Sequence, residues 1–361
     1  MMWEYWRKHK GKVYVTLGVF GSGYLLYKLY DSHTQHLTDL EKEDAGKPVN
    51  EELVKALTRV HFENIQKIAD TTTLPHAMVY LSGRIEKMMD LSHLAEKINK
   101  GNGIITLREK VALWDRFKVQ SFARTVLSIW SMTSLSLYIR VLVKILGRHF
   151  YIDTARGLGA AHLEESERID RNDEQQFLAG VDFLSNCGMS LLISNMQIAV
   201  AEVLKEKSWI DSFTASLLHD TIMQILDVFM SMGNPHQWVN YLMSEDLKTK
   251  SAAFSSNDGQ NERTKFGLLM LEAHTVLSSD EFRSILDVSL RSVVDDLVQD
   301  MKDQHGDLNS SEMPLSKLVQ KVAKMGPLLL EESCNNKYIQ MVRNLPVAEA
   351  FFTLQYADTP L

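Results

Sequence analysis

The amino-acid sequence predicts an all-α protein. We expect a large helical bundle of about eight or nine helices with one very long central helix, preceded by a short N-terminal membrane anchor helix. Apolar residues recur at intervals of three and four through most of residues 51–361, which is the spacing of one face of an α-helix. Strand-like alternation and hairpin turn sequences are almost absent. The 361 residues include only seven prolines, so few helix interiors are interrupted.

The composition predicts a folded body behind a membrane-directed N-terminus. Apolar residues make up 45% and charged residues 24% of the chain, enough to bury a substantial core. The first thirty residues carry five basic groups and one acid, which leaves a net charge of −11 on residues 31–361. An acidic body disfavours a nucleic-acid partner. The two cysteines, Cys187 and Cys334, do not form a disulfide framework, so a reducing compartment is expected.

The first thirty residues predict a membrane anchor. A basic segment at residues 1–12 precedes a fifteen-residue uncharged run, and one lysine at the interface extends the anchor over residues 13–30. Fifteen residues reach only about 22 Å, so the span is short for a hydrocarbon core of about 30 Å. A secretory signal peptide is disfavoured because no small-residue cleavage site follows; it and a soluble helix remain alternatives. The clustered cations of the basic segment are Arg7, Lys8, Lys10 and Lys12.

The orientation of this anchor is open. Basic residues before an apolar span favour a cytosolic N-terminal side, but that rule describes bacterial and endoplasmic-reticulum membranes. The chain then turns acidic through a polar linker, residues 31–50, which ends in the loop-forming sequence Gly-Lys-Pro. The remaining residues, 51–361, are expected to form the helical-bundle domain.

The longest periodic stretch covers residues 106–147. Thr106 and Glu109 have the spacing of a capping box at its start, and Gly147 is expected to end it. Residues 125–139 are apolar or hydroxyl-bearing on every side, as in a helix that is central to a bundle or inside a membrane. Six of these fifteen residues are serine or threonine. We therefore favour a buried central helix over a second membrane span.

Other helices are predicted on both sides of this stretch. Helices at residues 51–67 and 75–98 come before it, separated from it by a Gly-rich break. Residues 153–175 are expected to form a charged connection, and residues 244–262 a polar loop. The further helices are expected at residues 175–205, 209–232, 239–243, 263–278, 279–302, 314–325 and 345–357.

The sequence contains no recognisable catalytic motif. Gly157 and Gly159 follow no strand, which disfavours a nucleotide-binding loop. His219 and Asp220 have no second pair at helical spacing, so they predict no metal site. Cys187 lies among apolar residues and is expected in the core. We therefore predict no enzyme activity, no catalytic or metal-binding residues and no cofactor.

One group of residues suits partner binding. Leu107, Lys110, Trp114 and Phe117 are spaced three, four and three apart and share one helical face. Such a face fits a groove for an amphipathic helix, in which the apolar side chains supply affinity and Lys110 orients an acidic edge. On spacing alone, packing of the two aromatic residues inside the bundle is the favoured interpretation.

Several stretches resemble the peroxin-3 family of peroxisomal membrane biogenesis proteins, and look most like its plant members. The resemblance runs nearly from end to end and is most specific in the anchor and in residues 107–153. Weaker matches lie at residues 313–322 and in the final helix. The matching stretches are RKHKGKVYVTLGVFGSGYLLYKL at 7–29, HFENIQKIADTTTLP at 61–75, LREKVALWDRFKVQSFARTVLSIW at 107–130 and YIRVLVKILGRHFYID at 138–153.

The resemblance implies a single-pass protein of the peroxisomal membrane whose helical body faces the cytosol, opposite to the orientation that the charge bias favours. The basic cluster would be its targeting signal. The implied function is a non-enzymatic docking receptor for peroxin-19, the soluble carrier of new peroxisomal membrane proteins. The implied partners are peroxin-19, the lipids around the anchor and, indirectly, the cargo membrane proteins, with no nucleic acid.

The resemblance also assigns binding residues. An amphipathic helix of the carrier is expected in a hydrophobic groove at one end of the bundle. Trp114 matches the central tryptophan of the groove, Phe117 its apolar neighbour, Lys110 a basic residue one turn earlier and Lys317 a lysine from the C-terminal region. Groove residues within 91–98, such as Leu94 and Ile98, are undefined, because the loop before Leu107 does not align without gaps.

Two other functions stay open at this point. One is an organelle-surface adaptor or tether for inheritance or turnover machinery. The other is a membrane-bound enzyme of unrecognised type, which predicts a deep pocket with several titratable groups.

Overall fold

The computed structural model describes residues 69–100, 106–159, 171–244, 265–304, 312–331 and 336–357, with five single positions between 60 and 67. The basic segment, the anchor at 13–30 and the linker at 31–50 lie outside the described residues. Most of the helix predicted at 51–67 and nearly all of the polar loop predicted at 244–262 also lie outside them. Within the described residues, the all-α prediction with one very long central helix is confirmed.

The described residues contain α-helices, short 3-10 and π-helical turns, and one pair of short strands. A π-helical turn, Ala69–Thr73, opens the described chain, and a 3-10 turn (Gly180–Asp182) and a π-helical turn (Leu184–Gly188) join α4 to α5. Two short strands, β1 (Ser212–Phe213) and β2 (Met313–Pro314), pair antiparallel. A 3-10 turn, Gln237–Tyr241, follows α6. The α-helices are α1 (Leu74–Met88), α2 (Ser92–Lys100), α3 (Leu107–Gly159), α4 (Arg171–Ala179), α5 (Met189–Leu204), α6 (Ala215–Met230), α7 (Lys265–Leu277), α8 (Asp280–Gln304), α9 (Leu315–Leu329), α10 (Lys337–Asn344) and α11 (Pro346–Ala357).

The central helix α3 is the element on which the bundle is built. Every other described helix packs against it, and every residue from Thr125 to Gly147 is buried. By length and composition alone, residues 107–149 and 172–204 could each cross a membrane. The apolar window of the first stretch is completely buried inside the bundle, and that of the second is 39% buried. The prediction that α3 is a buried central helix is confirmed.

Hydroxyl groups inside α3 are compatible with its burial because most of them bond to backbone carbonyl groups. Ser128 donates to the carbonyl of Arg124 at 2.8 Å, and Ser136 donates to that of Met132 at 2.8 Å. Such bonds to the preceding turn satisfy a hydroxyl without a partner from another element. Thr125 instead reaches α9, where it donates to the carbonyl of Val322 at 2.7 Å.

The prediction that α3 ends at Gly147 is wrong. The helix continues to Gly159, so the first part of the connection predicted at 153–175 is helical. A glycine costs a helix interior only about 1 kcal/mol, and the residues after Gly147 make ion pairs that hold the helix in place. Arg148 and His149 both bind Glu272 of α7, the latter at 2.8 Å.

Three further expectations need correction. The helix predicted at 75–98 is two helices, because the carboxylate of Asp90 accepts the backbone N–H of Ser92 at 2.9 Å and starts α2. Helix α10 was not predicted; Asn336 caps it by accepting the backbone N–H of Tyr338 at 3.0 Å. Cys187 is exposed in the π-helical turn rather than buried, since that turn changes which side chains face inward.

Two buried basic side chains, Arg140 and Lys144, mark the later part of α3. The guanidinium of Arg140 lies 4.4 Å from the ring of Phe352 in α11 and donates to the carbonyl of Arg343 at 3.2 Å. It also donates to the side chain of Gln66 at 3.3 Å. One turn further on, burial lowers the pKa of Lys144 to about 6. The chain entering from the N-terminal side therefore packs beside the later part of α3.

We predict that Gly188→Ala destabilises the bundle by about 1–3 kcal/mol, as overpacking does. A Cβ at this position would lie 2.2 Å from the backbone oxygen of Tyr241, so the turn after α6 would have to move. Gly83→Ala is the matched control, because nothing lies within 4 Å of its Cβ position. Removing a glycine from the interior of α1 should stabilise by about 0.5–1 kcal/mol. Urea unfolding measures both, and equal effects of the two substitutions would contradict the packing described here.

Candidate partner-binding groove

A cavity of about 500 Å³ opens beside the first turns of α3. Three helices form its walls: α2, α3 and α9. Most of its lining is apolar, with polar residues at its edges. We call this cavity the Trp114 groove; it is lined by Leu91, Ser92, Ala95, Ile98, Trp114, Phe117, Arg124, Gln320, Ala323 and Lys324.

The start of α3 is fixed by the predicted capping box. The backbone N–H of Thr106 donates to the Glu109 carboxylate at 2.9 Å, and the Thr106 hydroxyl accepts the backbone N–H of Glu109 at 3.3 Å. The backbone N–H of Thr106 lowers the pKa of Glu109 below its ordinary value. From this point the helix presents Leu107 to solvent with 80% of its surface exposed. The helix therefore begins outside the core and enters it gradually.

Trp114 is half-buried and is held by two other aromatic side chains. Its ring meets that of Phe117 at 6.0 Å and that of Trp209 at 5.4 Å, both in edge-to-face arrangements. The indole N–H of Trp209 donates to Asp115 at 2.9 Å, and the ammonium group of Lys118 lies 5.2 Å from the Trp209 ring. This support leaves the Trp114 side chain available to the groove in a defined position.

Sequence reasoning missed Trp209. It was placed at the start of a predicted helix at 209–232, whereas the structure has it in the turn before β1, packed on Trp114. The sequence signal for this role was a tryptophan at a predicted helix boundary, where such a side chain can pack against a neighbouring element.

The structure brings together some of the predicted binding residues. Trp114 and Phe117 share the groove, and Phe117 is only 7% exposed. Leu107 and Lys110 lie on the preceding turns of α3, outside the groove lining. Within residues 91–98, where the resemblance left the groove undefined, Ile98 of α2 lines the groove, whereas Leu94 of the same helix packs into the core and does not line it.

Lys317 does not line the Trp114 groove. It lies in a second cavity of about 680 Å³ between α9, the end of α8 and the start of α10. Ala323, which faces the Trp114 groove, is six residues beyond Lys317 and so about 240° around the helix. Gln320 and Lys324 border both cavities. Helix α9 therefore separates Lys317 from Trp114.

The ionisable side chains that line the Trp114 groove, Arg124 and Lys324, are both cationic. The carboxylates near its edge already have partners. Asp90 accepts the backbone N–H of Ser92, which lowers the pKa of Asp90 below its ordinary value, with a smaller contribution from Arg124. Asp115 binds Trp209 and Lys118. The groove thus combines apolar walls with lining side chains whose charges are positive.

Among the residues that the structure describes, no group of three or more His, Cys, Asp or Glu side chains could hold a metal ion. In the second cavity, Asp300 is engaged by Lys337 and by the Tyr338 hydroxyl at 2.6 Å. An apolar groove edged by cations suits an amphipathic helix with an acidic face.

Comparison with known proteins gives the same family across nearly the whole chain. The family model described as Peroxin-3 matches residues 31–357. "Peroxisome biogenesis protein 3-1" of Arabidopsis thaliana is 50% identical over 357 residues, which is 98% of each chain. "Peroxisome biogenesis protein 3-2" of the same plant is 49% identical over 99% of this chain and 98% of its own. "Peroxisomal biogenesis factor 3" of Homo sapiens is 23% identical over 88% and 86% of the two chains.

We predict that Trp114→Ala leaves the bundle folded and costs about 1–2 kcal/mol of unfolding free energy, because only part of the ring is buried. Trp130→Ala is the contrasting variant. Its fully buried ring contacts Phe229 and Tyr241, so its loss should cost about 3–5 kcal/mol. Thermal and urea unfolding test this order, and a larger loss for Trp114→Ala would show that Trp114 is a core residue.

Proposed function

The chain belongs to the peroxin-3 family, and from this premise we propose that it is a docking receptor for the peroxin-19 carrier in the peroxisomal membrane. It has a role in peroxisome biogenesis, as the names of its relatives state for them. In this proposal the receptor binds an amphipathic helix of peroxin-19, and so supports the import and insertion of the cargo membrane proteins. The chain acts by binding and not as an enzyme.

The observation that carries the proposal is the Trp114 groove. Its three helical walls leave an apolar channel that is lined by Trp114 of α3 and Ile98 of α2, among others. A half-buried tryptophan inside such a channel is the type of residue that supplies most of the binding free energy at an interface. Two neighbouring aromatic rings hold Trp114 in position, so little order has to be gained on binding.

The charges around the groove favour an acidic partner. Arg124 and Lys324 line it, and Lys110 lies one turn before Trp114 on the same face of α3. In the second cavity, Lys317 and Lys321 extend the positive charge along α9. These basic residues form a positive surface on a body whose net charge is −11. Such a surface suits a carrier helix with one apolar and one acidic face.

The proposal also fixes the place of the protein. Residues 13–30 anchor it in the peroxisomal membrane as a single pass, with the lipids around this segment as its direct membrane contact. Arg7, Lys8, Lys10 and Lys12 form the targeting signal within residues 1–12. Residues 31–50 link the anchor to the helical domain, residues 51–361, in the cytosol.

We predict that Trp114→Ala weakens binding of a synthetic peptide carrying the peroxin-19 helix by about 2 kcal/mol or more, as loss of a buried aromatic anchor does. Isothermal titration calorimetry with the folded domain measures the change. Leu354→Ala is the matched control, because Leu354 is also apolar and 62% exposed. It lies on α11, whose Phe352 contacts Arg140, and Arg140 is about 39 Å along α3 from Trp114.

The peptide affinity of Leu354→Ala should equal that of the unmodified protein. Unchanged affinity of Trp114→Ala would end the assignment of the groove. Loss of affinity in both variants to the same extent would point to a general effect on the fold. Binding of inheritance or turnover proteins that Trp114→Ala leaves intact would support the tether function instead.

We predict that protease treatment of intact peroxisomes digests residues 45–361 of the tagged protein. The helical body would face the cytosol in the proposed topology, whereas the basic N-terminal segment would not. A matrix protein that stays intact until detergent is added is the control. Full protection of the helical body would contradict the topology and would agree with the orientation that the charge bias favours.

A further inference from the structure

Arg124 continues the binding face of α3 into the inner end of the Trp114 groove. Leu107, Trp114 and Phe117 are separated by intervals of three and four residues or their sums. Arg124 continues this pattern, because it is seven residues after Phe117. Residues at this interval lie on the same side of a helix. Arg124 is half-buried and lines the groove together with Trp114 and Phe117. Its position places a cation beyond the two aromatic residues.

The stem of Arg124 is held by close packing against α9. A Cβ on Gly326 would lie 3.4 Å from the Cγ atom of Arg124 and 3.4 Å from its backbone oxygen. The glycine therefore lets α9 approach the aliphatic part of the arginine directly. This contact restricts the side chain, so less conformational freedom would be lost when the guanidinium binds a partner.

The guanidinium of Arg124 has no hydrogen bond or ion pair within the part of the chain that the structure describes. Its Nε atom is buried and without an acceptor. The nearest carboxylate that it influences, Asp90, is beyond ion-pair distance and accepts the N–H of Ser92 instead. A guanidinium carries five N–H donors, and a buried donor without a partner is unfavourable. The described residues therefore supply no acceptor for the Nε–H of Arg124.

We propose that Arg124 binds a carboxylate of the docked peroxin-19 helix through a two-pronged hydrogen bond, and that this pair sets the direction and register of the helix in the groove. The inference rests on the proposed function and deepens it. The planar fork of a guanidinium matches a carboxylate. A fixed ionic contact at the inner end would select one helix direction, whereas the apolar walls accept several.

The contrast with Lys324 distinguishes a specific contact from general attraction. Lys324 also lines the groove, but it is exposed on α9, where salt screens its charge. Arg124 is half-buried and restricted. We therefore expect Arg124 to contribute a short-range contact and Lys324 a weak, salt-dependent attraction.

Calorimetry with the peroxin-19 helical peptide tests the proposal. Arg124→Gln should weaken binding about tenfold or more, which corresponds to the loss of one charged hydrogen-bonding pair. Arg124→Lys should recover little of this loss, because an ammonium group lacks the fork. Lys324→Gln should weaken binding less than threefold at low salt, and its effect should vanish at high salt.

Substitutions in the peptide give the most decisive test, because they leave the receptor unchanged. Each Asp or Glu of the peptide is replaced in turn by Asn or Gln. One replacement should weaken binding to the unmodified receptor about tenfold and have no further effect on Arg124→Gln. If no replacement weakens binding to the unmodified receptor about tenfold, the proposed pair does not exist, and this result holds even where Arg124→Gln fails to fold.

Two results separate this inference from the proposed function. If Trp114→Ala weakens binding and Arg124→Gln does not, the groove assignment stands and the role of Arg124 is wrong. If Trp114→Ala has no effect either, the proposed function fails.

If Asp90→Asn weakens binding as much as Arg124→Gln does, Arg124 acts by positioning the turn before α2, and the carboxylate contact is overturned.

Discussion

The rest of the molecule depends on the burial of α3 between Thr125 and Gly147. A helix that is covered on all sides must satisfy its polar side chains internally or bond them to neighbouring helices. Ser128, Ser134 and Ser136 donate to carbonyl groups one turn back, and Thr125 donates to a carbonyl group of α9. The indole N–H of Trp130 points to the sulfur of Met230 at 3.2 Å. The buried cation Arg140 finds partners on the segment before α1 and on α10. The positions of the surrounding helices therefore follow from the side chains of α3 that must be buried or hydrogen-bonded.

The groove exists because the other helices cover the first turns of α3 only in part. At its start α3 has an exposed Leu107 and a half-buried Trp114, and the helix becomes fully covered only beyond Arg124. Helices α2 and α9 flank this stretch without closing over it, which leaves the apolar channel. The proposed docking role uses this incomplete burial: a partner helix would cover the part of α3 that the chain itself leaves open.

The sequence was sufficient to predict the features that depend on local periodicity. The central helix, its capping box at Thr106 and the shared face of Trp114 and Phe117 are all encoded within one helix. Features that depend on contacts between distant segments were missed. Three features could be predicted only by knowing which segments meet. They are the contact of Trp209 with Trp114, the position of Lys317 on the far side of α9, and the continuation of α3 beyond Gly147, where Arg148 and His149 bind Glu272. The resemblance to a family supplied the expected role of the groove, which spacing alone had disfavoured.

Hydrogen–deuterium exchange of the folded domain, with and without the peroxin-19 helical peptide, tests the central claim most directly. The first turns of α3 should exchange more readily in the free protein than the rest of the helix, because the neighbouring helices cover them only in part, whereas residues 125–147 should be protected in both states. Binding should slow exchange in α2, in the first turns of α3 and in α9. Peptide binding that protects another surface and leaves these three segments unchanged would contradict the account.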